Sequence, residues 1–243
     1  MPAGEASRIG QSIEAAPRIL RVQPVGPRGL RVLLHFDRGD PLDVSLEALE
    51  LSRLGVGDSL PSARRHDLES LDADVRVRDA ALNLISYRAR TRAELTRRLR
   101  QKGFPPERID PCLDRLESKG LIDDAAVAAA FVRDRLRHRP RGRTRLSSEL
   151  RAKGVDGDLV QSAIDRVFED ESVTDRELAL EVAEKWIERQ AAATLSALAG
   201  DRQSDGWERA RRRLNGYLTR RGFRGDTLRA AIDRAVELAE AAP

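Results

Sequence analysis

The sequence predicts a mainly α-helical protein made of three tandem three-helix repeats, each similar to a helix-turn-helix unit, with a small β-rich cap at the N-terminus. Two observations predict the repeats. A short signature of a cation, a glycine and an apolar residue returns three times, and each copy follows two leucines four residues apart. Short apolar runs between turn signals near the N-terminus predict the cap. Such a periodic signature indicates an architecture before any single residue indicates a chemistry.

The signature predicts the end of one helix and the start of another. Its cation falls in the last helical turn, where positive charge interacts favourably with the helix dipole. Its glycine can adopt the left-handed conformation that ends many helices, and the apolar residue closes the cap. The three copies are Lys102-Gly103-Phe104, Lys153-Gly154-Val155 and Arg221-Gly222-Phe223.

The leucine pairs predict the second helix of each repeat, with one buried face. They are Leu95 with Leu99, Leu146 with Leu150, and Leu214 with Leu218. Apolar residues six and ten positions after each glycine predict the third helix: Ile109 and Leu113, Val160 and Ile164, Leu228 and Ile232. The first helices are expected over about 75–87, 125–137 and 175–190. Thr91 with Glu94, and Thr174 with Glu177, are typical of capping boxes.

These patterns divide the chain into expected domains. Repeat 1 is predicted at 75–122, repeat 2 at 123–170 and repeat 3 at 174–240. Because the signature glycines are 51 and then 68 residues apart, repeat 3 contains an insertion, predicted at 191–205, which is either a helix or a loop.

The N-terminal part of the chain has a different pattern. Residues 1–17 are small and polar and are predicted to be a disordered tail. Residues 18–62 are predicted to form a β-rich segment of three short strands, followed by a short helix near 46–54. Since three strands alone are marginally stable, we expect this cap to pack on a neighbouring helix.

Composition favours a cytoplasmic protein. A single cysteine, Cys112, excludes an intramolecular disulfide framework and favours a reducing compartment. No apolar run approaches the roughly 20 residues of a membrane span, and no signal-peptide core is present. No heptad pattern or exposed apolar stripe indicates an obligate dimer, so a monomer is expected.

Positive charge is concentrated in the repeats. The formal charge is −3 over residues 1–74 and +7 over the remainder. Cations gather in three clusters, 88–102, 133–153 and 207–224, which could follow nucleic-acid phosphates or an acidic protein groove. The alternative is that these cations form a solvated helix face in an arginine-rich protein. The clusters fall at corresponding positions of the three repeats, which makes this alternative less favoured. The candidate contacts are Arg97, Arg98, Arg100, Lys102, Arg141, Arg143, Arg145, Arg151 and Lys153.

No catalytic or metal-binding pattern is present, and neither an enzyme nor a cofactor is predicted. The three histidines have no metal-ligand spacing, and Cys112 is expected to be a buried, inert thiol. Asp123-Asp124 is expected to cap a helix rather than to form a carboxylate pair. Three aromatic residues could stack on bases but are expected to pack in the core: Tyr87, Trp186 and Trp207.

The ordered set of motifs resembles the RecX family of bacterial recombination regulators. The resemblance rests on the runs Ala81–Arg88 and Thr91–Leu95, on Lys102-Gly103-Phe104, on Gly120-Leu121-Ile122-Asp123, and on Lys153-Gly154-Val155. It covers roughly residues 75–240, with the first two repeats clear and the third weaker.

The resemblance implies a non-catalytic modulator of the RecA recombinase, acting in homologous recombination, DNA repair and the SOS response. Members of the family are understood to lodge in the groove of the RecA filament on single-stranded DNA and to inhibit ATP hydrolysis and strand exchange. Expected partners are the RecA filament and single-stranded DNA, with double-stranded DNA as a further candidate. The alternative is a helix-turn-helix-like DNA-binding regulator that acts independently of RecA, although no helix has an obvious base-reading face. A scaffold for another acidic partner fits the charges but no motif.

Overall fold

The computed structural model describes residues 16–26 and 29–241. They form two compact units. One contains the chain up to Asn83 together with Gly103–Cys112, and the other contains Leu84–Lys102 together with the chain from Leu113 onward. The predicted tail therefore lies outside the described residues except for Ala16 and Pro17, and the Pro17 carbonyl accepts a hydrogen bond from Leu60 N at 2.8 Å.

The described residues contain three strands and eleven helices, which confirms the predicted fold class. The N-terminal elements are β1 (Ile19–Val25), β2 (Arg31–Phe36), β3 (Leu42–Ser45) and α1 (Leu46–Ser52). The helices of the first two repeats are α2 (Ser62–Tyr87), α3 (Arg92–Gln101), α4 (Pro106–Ser118), α5 (Asp124–His138), α6 (Arg143–Ala152) and α7 (Gly157–Asp170). The remaining helices are α8 (Asp175–Ile187), α9 (Ala192–Ala199), α10 (Asp205–Arg220) and α11 (Gly225–Glu240).

The predicted start of the first helix, near Val75, is wrong, because α2 begins at Ser62. Apolar residues continue toward the N-terminus of the helix at Leu68 and Leu71. Leu68 is fully buried in the core of the cap and Leu71 packs against that core. Tertiary packing thus lengthens a helix whose N-terminal half is otherwise polar.

The N-terminal cap is a three-stranded antiparallel sheet in the order β1-β2-β3. Its core comes from one face of the strands, from α1 and from α2, and contains Ile19, Val32, Leu34, Val44, Leu49 and Leu68. The expectation that the cap packs on a neighbouring helix is confirmed. Ser45 begins α1, and its side chain accepts a hydrogen bond from Ala48 N at 3.2 Å.

A buried aspartate joins the sheet to α2. Asp72 is 6% exposed. Its carboxylate accepts a hydrogen bond from Ser45 N at 2.6 Å and is 3.3 Å from Arg31 Nη1. Arg31 also bonds Asp43, which is exposed. A buried carboxylate needs hydrogen-bond donors of this kind. Asp72 therefore connects the end of β3 to α2.

Asp72→Ala is expected to lower the free energy of unfolding by about 2 kcal/mol, because it leaves the buried Ser45 N–H without its acceptor. Asp43→Ala removes only the exposed partner of Arg31 and should cost less than about 1 kcal/mol. Urea unfolding of both variants measures the difference. Equal losses would contradict the role given to Asp72.

The second unit has one continuous core that runs from α5 to α11. The leucine pairs of α6 and α10 are fully buried, as predicted, and so are Leu95 and Leu99 of α3. The insertion, which the sequence left open, contains the helix α9, and its Leu198 is buried in the core. The division into three repeat domains with the bounds given above stays a prediction.

The signature glycines have the predicted conformation. Gly103, Gly154 and Gly222 have φ of +88°, +78° and +94°. Thr174 and Glu177 form the predicted capping box, with both reciprocal hydrogen bonds. Asp123 caps α5 by accepting a hydrogen bond from Ala126 N at 2.8 Å.

Candidate partner-binding surface

Four of the nine candidate cations lie at the C-terminal end of α3. We call them the α3 basic end: Arg97, Arg98, Arg100 and Lys102. All four are exposed, whereas Leu95 and Leu99 of the same helix are fully buried, as the leucine spacing predicts. Within the described part of the chain none of the four forms an ion pair, and Arg98 donates only to the neutral Gln101 at 3.1 Å.

The helix dipole explains part of the positive charge at the C-terminal end of α3. Cations in the last turn of a helix stabilise its exposed carbonyl groups by about 0.3–1 kcal/mol each. That effect accounts for some positive charge near Lys102. The helix dipole does not explain why no carboxylate among the described residues pairs with these four cations. Cations without such a pair remain available to a partner.

An open cleft of about 760 Å³ borders the α3 basic end. Arg97 and Arg100 line it from α3, and Asp156 and Leu159 line it from the start of α7. Leu159 is a large apolar residue that is 38% exposed. The cleft therefore combines unpaired guanidinium groups with exposed apolar surface. Its lining also includes Asp124 and Asp156, and the cations that line it among the described residues all come from α3.

A close contact between two repeats forms one wall of this cleft. A Cβ atom built on Gly154 would lie 2.2 Å from the Cβ of Ala93, the second residue of α3. Gly103, at the same position of the preceding signature, has nothing within 4 Å of such an atom. Gly103 is therefore required for its backbone conformation alone, whereas Gly154 is also required for the contact.

Polar contacts tie the N-terminus of α3 to the second repeat. The Thr91 hydroxyl donates to the Lys153 carbonyl at 2.7 Å, and Arg92 N donates to the carboxylate of Asp124 at 2.8 Å. Lys153 Nζ lies 3.0 Å from the Glu94 carboxylate. These contacts hold α3 against the turn between α6 and α7, and so position the cleft.

The predicted capping box at Thr91 is only half correct. Thr91 accepts a hydrogen bond from Glu94 N at 3.1 Å, but the Glu94 side chain bonds Arg88 and Lys153 instead of Thr91 N. Glu94 is buried, with a side chain 6% exposed. Two cations compensate a buried carboxylate better than one backbone amide, which explains the difference.

Burial and neighbouring charges act in opposite directions on the acids of this junction. Burial alone would raise the pKa of Glu94, but hydrogen bonds from Arg88 and Lys153 and the charges of both hold it below its ordinary value of 4.5. Burial raises the pKa of Asp124, against the hydrogen bond from Arg92 N. At neutral pH the Glu94 carboxylate is therefore charged and stabilises the junction.

Glu94→Gln is expected to lower the free energy of unfolding at pH 7 by about 2 kcal/mol, since it removes charged hydrogen bonds from a buried site. The folded-state pKa of Glu94 is depressed, so its contribution is complete above the unfolded-state value and is lost as the pH falls through the folded-state value. The difference between wild type and Glu94→Gln should accordingly shrink below about pH 4.5.

Urea unfolding from pH 7 to pH 3 measures this difference. Glu117→Gln is the control, because Glu117 is an exposed partner of Arg92 and should contribute less than about 1 kcal/mol. A difference for Glu94→Gln that does not change with pH would contradict the assignment.

Two of the remaining candidates share one carboxylate. Arg141 and Arg145 both donate to Glu149, which also accepts a hydrogen bond from Arg135. Burial alone would raise the pKa of Glu149, but the hydrogen bond from Arg145, the charge of Arg141 and the hydrogen bond from Arg135 lower it. These arginines are therefore engaged within the second unit.

The last three candidates differ from one another. Arg143 pairs with Asp165 and lies over the ring of Phe168, 4.2 Å from its centroid. Lys153 is held by Glu94 as described above. Arg151 is exposed and forms no ion pair within the described residues. The structure thus separates the nine candidates into five unpaired cations and four that are paired.

The contact between repeats is built twice in the same way. In both junctions the first residue of the second helix donates its backbone N–H to an aspartate 32 residues later, and its side chain pairs with an aspartate on the third helix. The residues are Arg92 with Asp124 and Asp114, and Arg143 with Asp175 and Asp165. The same residue spacing in both repeats is therefore a sequence signal for the junction. The clusters of positive charge do not reveal it.

The aromatic residues lie only partly where they were predicted. Trp186 is 7% exposed, as expected for the core. Cys112, which was expected to be buried, is 2% exposed. Trp207 is half-buried. Tyr87 is 78% exposed, so its predicted core position is wrong; it is the last residue of α2, where the helical face no longer faces the core.

The described residues also bear on two other features, metal binding and membrane-spanning helices. No three His, Cys, Asp or Glu side chains in that part of the chain lie close enough to hold a metal ion. None of the described helices has the length and apolar character to span a membrane.

Fold and surface together define a tandem three-helix-repeat protein. Residues 78–116 match the family model of the first three-helix domain of RecX, and residues 123–164 match that of the second. The chain is 35% identical to regulatory protein RecX of Halorhodospira halophila, over 69% of this chain and 92% of that protein. It is 36% identical to regulatory protein RecX of Mycobacterium avium, over 60% of this chain and 76% of that protein. The chain belongs to the RecX family of regulatory proteins.

Solved structures agree in fold. A crystal structure of regulatory protein RecX superposes with a TM-score of 0.66 at 23% identity, covering 89% of this chain and 99% of that chain. A crystal structure of RecX from Lactobacillus salivarius superposes with a TM-score of 0.53 at 24% identity, covering 69% of this chain and 98% of that chain.

Proposed function

We propose that this chain binds the RecA filament assembled on single-stranded DNA and inhibits its ATPase and strand-exchange activities, as a regulator of recombination and DNA repair in the cytoplasm. Membership of a regulatory family supports a regulatory role. The specific partner follows from what the family resemblance implies.

The observation that carries the proposal is the α3 basic end beside the 760 Å³ cleft. A cation already paired with a carboxylate contributes little to a partner, because binding must first break the existing pair. Arg97 and Arg100 line the cleft without such a pair. They are therefore available to contact acidic protein surface or the DNA backbone.

One further unpaired cation of the candidate set lies in the next repeat. Arg151 of α6 stands 51 residues after Arg100, at the same position of the repeat, and both are exposed without an ion pair among the described residues. Since the second repeat is tied to α3 by Thr91 and Glu94, the two cations have a defined spacing. The corresponding position of the third repeat is Thr219, so a repeating partner such as a filament would meet this pair of cations on the first two repeats.

The test compares binding of the fluorescently labelled chain to the RecA filament on single-stranded DNA, to bare single-stranded DNA and to duplex DNA, each over a range of salt concentrations. The proposal predicts tighter binding to the filament than to either DNA. Binding to a specific duplex sequence, steeply salt-dependent and unaffected by RecA, would overturn it in favour of the DNA-binding regulator.

A further inference from the structure

A second cationic pocket lies on another part of the second unit. It is formed by the loop between α5 and α6, by the end of α8 and by α10, and has a volume of about 490 Å³. None of the described residues that line it is acidic. We call it the arginine pocket, and its cations are Arg137, Arg139, Arg141, Lys185, Arg189 and Arg221.

Positive charge in the arginine pocket is incompletely compensated. Within the described residues Arg139 and Arg189 have no ion pair, and Arg221 donates only to the neutral Tyr217 hydroxyl, at 2.8 Å. Arg141 shares Glu149 with two further arginines. Arg137 pairs with Glu171 and Lys185 pairs with Glu181. Among the described residues the six cations of the pocket thus have three carboxylates between them, and two of these also pair with arginines outside the pocket.

Two guanidinium groups of the pocket each have one nitrogen without a hydrogen-bond partner. The Nε atoms of Arg141 and Arg221 are buried and make no hydrogen bond. Burial lowers the pKa of Arg141, and the charges of Arg145, Arg135 and Arg221 add to that effect against Glu149. Buried polar groups are normally paired, so these two N–H groups have unused hydrogen-bonding capacity beside the pocket.

The pocket is held by backbone contacts, so it exists before any ligand arrives. Gly142 N donates to the Arg221 carbonyl at 2.9 Å. A Cβ on Gly142 would lie 2.8 Å from the Gly222 carbonyl oxygen, which shows how closely the loop after α5 approaches the turn after α10. Cations on these two segments are therefore positioned together by the fold.

The preceding junction shows the same cations with an acid that the arginine pocket lacks. There the corresponding positions are Arg88, Arg90 and Lys153, and the buried Glu94 pairs with Arg88 and Lys153. The position of Glu94 in the next repeat, 51 residues later, is Arg145. The same fold thus holds a buried acid at this position in one junction and a cation in the other, so folding alone does not require the cation.

We propose that the arginine pocket binds phosphate that carries two or more negative charges in total, supplied by the polyphosphate of a nucleotide or by neighbouring phosphodiesters of a nucleic acid. Arginine forms paired hydrogen bonds with phosphate oxygens, and a cluster of guanidinium groups favours a multiply charged anion. The pocket is separate from the α3 basic end and does not depend on RecA.

The test is calorimetric titration of the full chain with pyrophosphate at fixed ionic strength, together with the unfolding temperature. We expect one bound pyrophosphate and a raised unfolding temperature. Arg139→Gln with Arg189→Gln should weaken affinity at least about tenfold, and should fold normally since neither side chain forms an ion pair with any of the described residues. Arg176→Gln with Arg213→Gln is the matched control; both residues are exposed and outside the pocket, and affinity should not change.

A second variant tests the same idea from the opposite direction. Arg145→Glu places an acid where the preceding junction has Glu94, and it should abolish pyrophosphate binding. Because Arg145 also pairs with Glu149, Arg145→Gln is the control for loss of that pair, and it should retain pyrophosphate binding. Competition then identifies the source of the phosphate: displacement of pyrophosphate by ATP alone indicates a nucleotide, and displacement by unphosphorylated oligothymidylate indicates a nucleic-acid backbone. Stabilisation no greater than that given by acetate at equal ionic strength, or equal losses in the control, would overturn the proposal.

Discussion

Gly154→Ala is expected to be among the most destabilising single substitutions in the chain. The left-handed backbone at φ +78° costs a residue with a Cβ about 1–2 kcal/mol. Overlap with the Ala93 Cβ, 2.2 Å away, adds about 1–3 kcal/mol, as over-packing does in a filled core. The free energy of unfolding should therefore fall by ~2–5 kcal/mol, measured by urea unfolding.

Gly103→Ala is the matched control, because Gly103 has the same backbone conformation and no neighbour within 4 Å of the added atom. It should lose only the conformational contribution, about 1–2 kcal/mol. The excess loss at Gly154 measures the contact between the repeats. Losses of equal size at the two glycines would show that this contact is unimportant.

A double variant makes the test more specific. Ala93→Gly removes the atom with which the new side chain overlaps, and the next atom of that residue is 3.7 Å away. Alone it costs about 1 kcal/mol of helix propensity. Combined with Gly154→Ala, it should restore part of the stability lost, so that the double variant is more stable than the sum of the single losses predicts.

Charge reversal of the α3 basic end is expected to have the largest effect on binding. Arg97→Glu with Arg100→Glu should weaken the affinity for the RecA filament at least about tenfold, which is about 1.4 kcal/mol, and should reduce its salt dependence. Both cations line the cleft and are unpaired, so reversal turns an attraction into a repulsion. Filament co-sedimentation or fluorescence anisotropy measures the change.

Arg64→Glu with Arg76→Glu is the control for this experiment. Both arginines are exposed on α2 without an ion pair among the described residues, and the double reversal changes the net charge by the same amount. Arg97→Gln with Arg100→Gln tests whether loss of charge alone, without repulsion, weakens binding. Equal weakening by the α2 and α3 reversals would indicate nonspecific attraction to net charge rather than a site on α3.

Much of the helical framework is predictable from local pattern. The leucines at i and i+4 locate the buried faces of α3, α6 and α10, because a helix turn brings such residues to one side. The signature glycines locate three helix ends, because few other residues adopt positive φ. Exposure of Arg97 and Arg100 follows from the same geometry. These inferences need only the nearest neighbours in sequence.

Features that depend on distant partners were not predictable in this way. The length of α2 depends on its packing against the N-terminal sheet through Leu68, and the two roles of Glu94 depend on Lys153, which is 59 residues away. The clusters of charge in the sequence did not distinguish Arg145, which pairs with Glu149, from Arg97, which is unpaired. Only the folded arrangement shows which cations already have carboxylates.

The most direct test of the proposed function is the single-stranded-DNA-dependent ATPase activity of RecA, measured while this protein is added at amounts well below those of RecA. Inhibition at substoichiometric ratios is the result that the proposal predicts, and Arg97→Glu with Arg100→Glu should require more protein for the same inhibition. An unchanged ATPase rate at every ratio, with the protein folded and in excess, would contradict it.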